Sequence, residues 1–300
     1  MNAIDKLKEV SAFLESKGIE DAAKEAEILI TEALKKELRV ESYELGVKEK
    51  IYAGSIELSD EISELVDSFA ARRSEGEPLQ YIIGHVDFYG LKINVGRGVL
   101  IPRPETELLV EEAIKLLKET PPHPPLSKGG QRGVKILDLC TGSGCIAIAL
   151  AKRLPDAHVY GIDKSDTAIR YAIQNATENN IKNVHFIKGD LFEPVGKMVF
   201  DCIVSNPPYI KTGDIQNLQR EIKDYEPVDA LDGGEDGLYF YRRILKDSSR
   251  FLKETGMIIL EIGHDQADDV GKIAMNAGFK NVTFIKDYAG IKRILVGRFK

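Results

Sequence analysis

From residue 134 onward the chain repeats one arrangement. A short apolar run ends in Asp, Asn or Gly, and the next run follows. The runs are "VKILDLC", "AHVYGID", "VHFIKGD" and "FDCIVSN", and helical stretches separate the first three. Strands that are apolar on both faces and spaced by helices belong in a parallel sheet covered on both sides, so the pattern predicts a doubly wound α/β domain. It also predicts where a ligand sits, because such sheets bind ligands beyond the carboxyl ends of their strands. "GMIILEIG" supplies a fifth strand. The last two runs, "NVTFIKD" and "IKRILVGRF", are joined by a few residues around Tyr288, Ala289 and Gly290. That is too short for a crossover, so they are expected as an antiparallel pair at the edge of a mostly parallel, seven-stranded sheet.

The front of the chain has a different period. Ile4, Leu7, Val10 and Leu14 recur at helical spacing, as do Ala26, Leu29, Ile30, Ala33 and Leu34. Ser59 is placed to cap a further helix, with Glu61 and Glu64 near its start and Arg72 and Arg73 near its end, both suited to the helix dipole. Residues 1–75 therefore read as a small helical bundle, a domain for partner recognition rather than chemistry. Residues 79–100 are rich in β-branched and aromatic residues and broken by glycines, which predicts a hairpin linker over 76–100. The catalytic domain is expected over 101–300, opening with a helix near Pro104. Residues 121–133, "PPHPPLSKGGQRG", bury too little surface to fold and read as a flexible insertion.

Three hundred residues suit two domains. The first eighty hold 19 acidic and 11 basic residues, the remainder 29 and 30. An acidic front end argues against that part gripping nucleic acid phosphates, which need Lys and Arg. It suits a basic partner, or simply a solvated helical surface. No apolar run approaches the ~18–20 residues of a membrane span, and the N-terminus lacks a signal-peptide core. Three cysteines with no CxxC pair point to a reducing cytoplasm and read as buried spectators. The five histidines form no HExxH and no Cys/His cluster, so no metal is expected.

The chemistry concentrates at the strand ends. "DLCTGSGCIAIAL" (138–150) is a strand, a Gly-rich turn and a helix. Gly142 and Gly144 permit close backbone approach to a ligand, with Cys140, Thr141 and Ser143 completing the turn. Asp163 ends the next strand, where an acid bonds ribose hydroxyls, and Asp190 with Leu191 ends the third as a polar–apolar pair for a base. Together they describe a nucleoside site. Gly142, Gly144 and Ala147 satisfy a loose GxGxxA, so the turn alone leaves a dehydrogenase open. Asp138 favours S-adenosyl-L-methionine: it could bond that cofactor's ammonium, whereas it would repel a pyrophosphate.

Asn206, Pro207, Pro208 and Tyr209 end the fourth strand. A planar nitrogen, in an amide or an exocyclic amine, is a poor nucleophile because its lone pair is delocalised. A site that accepts both of its N–H bonds orients it and lets charge build on nitrogen during attack. The Asn206 side-chain oxygen is one acceptor. A main-chain carbonyl held by the prolines is the other, since proline fixes φ and fields no competing N–H. Tyr209 offers a flat face for stacking. The residues describe methyl transfer to a planar nitrogen, governed by positioning.

"NPPY" with "DLCTGSGC" resembles the amino-methylating, S-adenosylmethionine-dependent methyltransferases. "PLQYIIGHVDFYG" (78–90), "LIPRPETELLVE" (100–111), "YEPVDALDGGEDGLYFYRRI" (225–244) and "LEIGHDQ" (260–266) narrow the resemblance to the HemK/PrmC protein glutamine methyltransferases. That resemblance covers nearly the whole chain. It implies a class I methyltransferase fold, Rossmann-like, behind a helical N-terminal domain. It also implies methylation of the glutamine side-chain amide in the Gly-Gly-Gln loop of bacterial peptide chain release factors, with no direct nucleic acid or membrane partner. By position, Cys140, Thr141, Gly142, Ser143, Gly144, Asp163 and Leu191 carry over as cofactor contacts. Asn206, Pro207, Pro208 and Tyr209 carry over as the glutamine site. Arg103 and Glu105 are candidates either to border the cleft or to cap the helix that follows. Tyr225 stands where the family usually has Phe, and the 121–133 insertion departs from the family pattern. Its Gly129, Gly130 and Gln131 mimic the implied substrate, for which coincidence in a Gly-rich linker is the simpler reading. Ribosomal-protein glutamine methylation, nucleic acid adenine-N6 methylation and a non-catalytic cofactor-binding module are the competing readings. The near-neutral C-terminal part and acidic front count against adenine, and the intact 206–209 quartet against a non-catalytic module.

Overall fold

A computed structural model of the chain describes residues 1–38, 46–119 and 133–299. All but the last residue of the 121–133 insertion, with its Gly129, Gly130 and Gln131, lies outside them. The chain divides into two compact units. One is Met1–Gly84 with Arg220–Tyr225, the other His85–Gln219 with Glu226–Lys300.

In the first unit, α1 (Ala3–Ser16), α2 (Ala22–Leu38), α3 (Val47–Tyr52), α4 (Asp60–Ser74) and α5 (Leu79–Ile83) pack around one apolar core. The residues at helical spacing fill it: Leu7, Val10, Leu14, Leu29 and Ile30 are buried with Val66 and Phe69. Ser59 caps α4 by accepting from the Ile62 amide. Arg73, 5% exposed, bonds Glu25 at 2.5 Å and Glu221 of the short helix Arg220–Tyr225 at 2.7 Å. The Tyr225 hydroxyl donates to the Glu75 carbonyl at 3.2 Å, a bond that Phe at this position could not make.

The hairpin is shorter than its sequence suggests. Residues 79–83 are α5 rather than strand; Tyr81 and Ile82 are buried, and Gly84 ends the helix in the left-handed region at φ 93°. Five residues are too few to display a period, so an apolar run of this length reads equally as strand. The hairpin proper is β1 (His85–Phe88) and β2 (Leu91–Asn94), antiparallel with Phe88 opposite Leu91.

The second unit continues with α6 (Thr106–Glu119), β3 (Lys135–Leu139), α7 (Cys145–Arg153), β4 (His158–Asp163), α8 (Asp166–Glu178), β5 (Val184–Lys188) and β6 (Phe200–Ser205). Helix α9 is the Arg220–Tyr225 segment of the first unit. Then come α10 (Tyr239–Ser248), β7 (Leu252–Glu261), α11 (Ala267–Asn276), β8 (Asn281–Lys286) and β9 (Lys292–Arg298). The seven strands lie in the order β5-β4-β3-β6-β7-β9-β8. The first five are parallel, and β9 runs antiparallel to both β7 and β8. This is the mostly parallel sheet with an antiparallel edge that the apolar runs imply. Leu137, Ile162, Ile203 and Ile258 are all fully buried, as strands covered on both faces must be. Helix α6 begins two residues after Pro104, at Thr106. Among the described residues no helix is long and apolar enough to cross a membrane.

Candidate active site

Strand β3 is central. The chain steps outward from it through β4 and β5, then returns to lay β6 on its other side. Strand order reverses between β3 and β6, the place where open α/β sheets leave a crevice at their carboxyl edge. A cavity of about 340 Å³ opens there, within the ~300–1,000 Å³ range of small-molecule sites. Of the residues singled out in the sequence, Cys140, Thr141, Gly142, Ser143, Asp163, Asp190, Leu191, Asn206 and Pro208 line it, and so does Arg103. Asp138, Gly144, Pro207, Tyr209 and Glu105 do not.

The turn after β3 is tied to the end of β4. The Thr141 amide donates to the Ile162 carbonyl at 2.9 Å, and the Gly142 amide to Asp163 Oδ2 at 2.9 Å. Asp163 Oδ1 accepts from the Ser165 amide at 2.9 Å. Burial raises the Asp163 pKa against these amide bonds. Asp163 therefore fixes the loop and still faces the cavity with lone pairs to spare. The two glycines differ in use. A Cβ on Gly142 would meet nothing within 4 Å, whereas one on Gly144 would lie 2.9 Å from Ala172 and Phe186. Gly142 thus leaves room for a ligand, and Gly144 lets the loop close onto α8 and β5. Cys140 and Leu191 adopt φ of 58° and 50° without being glycine. That is a conformation costing about 1–3 kcal/mol each, of a kind that clusters at functional sites.

Asp138 sits differently from its sequence assignment. It is fully buried, and its Oδ2 accepts from the Thr141 hydroxyl at 2.5 Å. Among the described residues its Oδ1 makes no full hydrogen bond, and the Ala147 amide acts on the carboxylate only as a weaker contact. Burial pushes its pKa up to about 7 against the pull of the Thr141 bond. With Asp138 absent from the cavity lining, the Thr141 side chain stands as the link between this carboxylate and the wall. Asp190 does line the cavity, but both of its oxygens are taken by Arg243, at 3.2 and 2.7 Å. The thiols of Cys140, Cys145 and Cys202 are all raised by burial, as unreactive cysteines are.

Across the crevice, Asn206 follows β6. Its Nδ2 donates to Thr106 Oγ1 at 3.1 Å, and the Thr106 hydroxyl donates to Glu261 Oε2 at 2.7 Å. Tyr209 reaches Glu261 Oε1 at 3.5 Å through its hydroxyl. The Tyr209 carbonyl accepts from Gln266 Nε2 at 2.9 Å. Backbone bonds complete the brace: the Ile210 amide donates to the Leu231 carbonyl and the Gly233 amide to the Ile210 carbonyl. A Cβ on Gly237 would lie 2.5 Å from the Tyr209 carbonyl oxygen, so this approach requires glycine. The prolines can field no donors of their own, and the polypeptide wraps them with donors and acceptors from three distant segments.

A family model of the PrmC N-terminal domain matches residues 5–84, and one of a methyltransferase domain matches residues 131–277. The release factor glutamine methyltransferase of Thermodesulfovibrio yellowstonii is 49% identical over 252 residues, spanning 83% of this chain and 86% of its own length. The chain belongs to the release factor glutamine methyltransferase family. The proteins of that name from Geobacter sulfurreducens and Escherichia coli (strain K12) are 41% and 35% identical, over 95% and 82% of this chain and 93% and 84% of theirs. The crystal structure of a methyltransferase from Pyrococcus furiosus, 20% identical, superposes with a TM-score of 0.51 over 70% of this chain and 89% of that one, a likeness of fold.

In this member of the family, the segments of the resemblance have identifiable physical roles. Buried Glu226 of "YEPVDAL" accepts from Arg103 at 2.5 Å and from the Ile101 amide at 3.2 Å. That holds Arg103 at the cavity rather than on the helix it precedes, and Glu105 is exposed. "LDGGEDG" supplies the backbone braces of the 206–209 corner, and "LEIGHDQ" supplies Glu261 and Gln266. Sequence reasoning passed over Thr106, Glu261, Gln266 and Arg243 as site residues, although each lies inside a segment quoted for the resemblance. Asn175 was missed altogether. It is fully buried on α8 and bonds the Ser143 carbonyl at 2.9 Å and the Asn94 carbonyl at 3.1 Å, tying the Gly-rich turn to β2.

Proposed function

We propose that the protein transfers a methyl group from S-adenosyl-L-methionine to the side-chain amide nitrogen of the glutamine in the Gly-Gly-Gln loop of bacterial peptide chain release factors. The observation that carries the reading is the Asn206 amide, held by its nitrogen at the end of β6, on the wall of a cavity whose other wall is a Gly-rich turn. The open space at Gly142 and the Asp163 carboxylate beside it fit a nucleoside with a short charged tail. Cys140, Thr141, Gly142, Ser143, Asp163 and Leu191 would hold that group. Asp190 would act through its pair with Arg243, and Asp138 through Thr141.

When bound, the cofactor would supply a sulfonium methyl: as the carbon–nitrogen bond forms the carbon–sulfur bond would break, leaving a neutral thioether, and the extra proton on nitrogen would pass to solvent. The residues of this chain position the nitrogen. Asn206 Oδ1 would accept one N–H and a main-chain carbonyl of the Pro207–Pro208 pair the other, so that the remaining lone pair is aimed along the transfer line. Pro208 gives the pocket an apolar wall without an amide donor, and Tyr209 anchors the corner through its hydroxyl and carbonyl. The test is labelled cofactor incubated in parallel with release factor, total ribosomal protein, and DNA or RNA. Label on the release factor glutamine is expected. Label only on nucleic acid would sink the proposal.

A further inference from the structure

Asn206 has two faces that look alike in outline and are opposite in chemistry. Turned one way, its side chain offers the substrate an oxygen that accepts an N–H. Turned the other way, it offers an NH2 that repels one. Rotation about the last side-chain bond interconverts them, so a site that relies on the oxygen needs something to set the amide's direction. Nothing within residues 206–209 does so.

The setting comes from two residues far away in sequence. Thr106 opens α6 and Glu261 closes β7. Strand β7 lies beside β6 with Leu260 opposite Ser205, which brings Glu261 level with Asn206. Thr106 is 2% exposed and Glu261 3%. A hydroxyl has one proton to give. With Glu261 ionised and its Oε2 2.7 Å from Thr106 Oγ1, the Thr106 proton is drawn to the carboxylate. The hydroxyl is left with lone pairs only, so the group 3.1 Å away on Asn206 must be the NH2. The reversed amide would set oxygen lone pairs against oxygen lone pairs in a buried place.

We propose that Thr106, with its proton committed to Glu261, is the positioning residue that fixes the direction of the Asn206 amide and so presents Asn206 Oδ1 to the substrate nitrogen. The inference rests on the methyl-transfer reading above and adds to it. Glu261 has a second effect. Positive charge grows on the nitrogen during attack, and Glu261, when ionised, places a buried negative charge two hydrogen bonds away that polarises Asn206 toward a stronger acceptor. A carboxylate is expensive to bury, and burial does raise this one, to about 7. The described residues record no ion pair for it; its oxygens go to Thr106 and Tyr209, the two ends of the same corner.

Thr106→Val removes the hydroxyl and keeps the shape; Thr106→Ser keeps the hydroxyl. With release factor as substrate, Thr106→Val is expected to lose about 10²-fold in kcat, the scale of one catalytic hydrogen-bonding group. KM for the release factor and Kd for the cofactor should stay within about threefold, a margin well below that scale. Thr106→Ser should recover most of the loss. Should Val disturb the packing, Thr106→Ala lacks the same hydroxyl and must show the same loss. A Thr106→Val or Thr106→Ala protein with wild-type kcat, beside an inactive Asn206→Ala, would overturn the proposal and leave the methyl-transfer reading standing. A second readout needs no protein substrate. The side-chain NH2 signals of Asn206 in ¹⁵N spectra, assigned by their loss in Asn206→Ala, should move in Thr106→Val and return in Thr106→Ser. Unmoved signals would overturn the relay whatever the enzyme methylates, whereas a wild-type protein that leaves release factor unlabelled would overturn the substrate alone.

Discussion

Asp138→Asn is the sharpest test of how the cofactor loop is held. The carboxyl is fully buried, one oxygen holds Thr141, and the other makes no full hydrogen bond among the described residues. Its pKa moves from 3.8 to about 7. At about 1.4 kcal/mol per pKa unit, the ionised form costs the fold roughly 4 kcal/mol above neutral pH. The sign follows from proton binding. Between the unfolded and folded values the folded protein holds the proton and the unfolded chain does not, so stability falls as pH rises through that window. Asparagine does not titrate. Between about pH 5 and about pH 8.5 the stability difference should therefore shift by roughly 2–3 kcal/mol in favour of the variant. Other titrating groups are common to both proteins and largely cancel. Native-state hydrogen exchange of the β3 amides without cofactor reads the stability of this unit alone, which suits a two-unit chain better than global unfolding. A difference that stays flat within about 0.5 kcal/mol, far below the expected shift, would show that Asp138 is not a strained buried acid.

Other changes separate the remaining roles. Asn206→Ala should abolish transfer while calorimetry still shows cofactor binding; near-normal turnover would refute the role given to its oxygen. Asp163→Ala should weaken cofactor binding and also destabilise the unit by about 1–3 kcal/mol, because two backbone amides lose a charged acceptor. An unchanged cofactor Kd would remove the ribose assignment. Gly144→Ala should cost fold stability, since its Cβ meets Ala172 and Phe186 at 2.9 Å. Gly142→Ala carries a backbone cost of about 1–2 kcal/mol at its φ of 54° but meets no clash, so it should weaken cofactor affinity beyond that cost, and thermal melts paired with calorimetry would distinguish the two. Gln131 should stay unmodified when the purified protein is incubated with cofactor, as mass spectrometry would read.

The sheet was legible because each parallel strand is apolar on both faces and stops at a polar residue, so strand, helix and ligand edge share one pattern. The loop and the Asn206 corner were legible because their meaning is local: glycines at a turn, and prolines that remove donors. Helix α5 was not, since five residues show no period. Thr106 and Glu261 were not for another reason. They are 155 residues apart and meet only through the pairing of β6 with β7 and the placement of α6. A buried Thr and Glu in isolation are indistinguishable from a helix start and a strand end. Asp138 stands just before the turn in sequence, but β3 is covered on both faces, so its carboxylate is buried and meets the cavity wall through Thr141.

The two walls of the cavity are held by different kinds of bond. The Gly-rich turn is tied within one continuous stretch of the chain, 138–186, through β3, β4, α8 and β5. The Asn206–Tyr209 corner depends on Thr106, Leu231, Gly237, Glu261 and Gln266, none within twenty residues of it. Prolines make this necessary, because a corner that cannot donate its own amides must be braced from outside. Damage to these remote braces should therefore disable methyl transfer before it disables cofactor binding. The order is set by the connectivity of the chain as much as by the chemistry of the site.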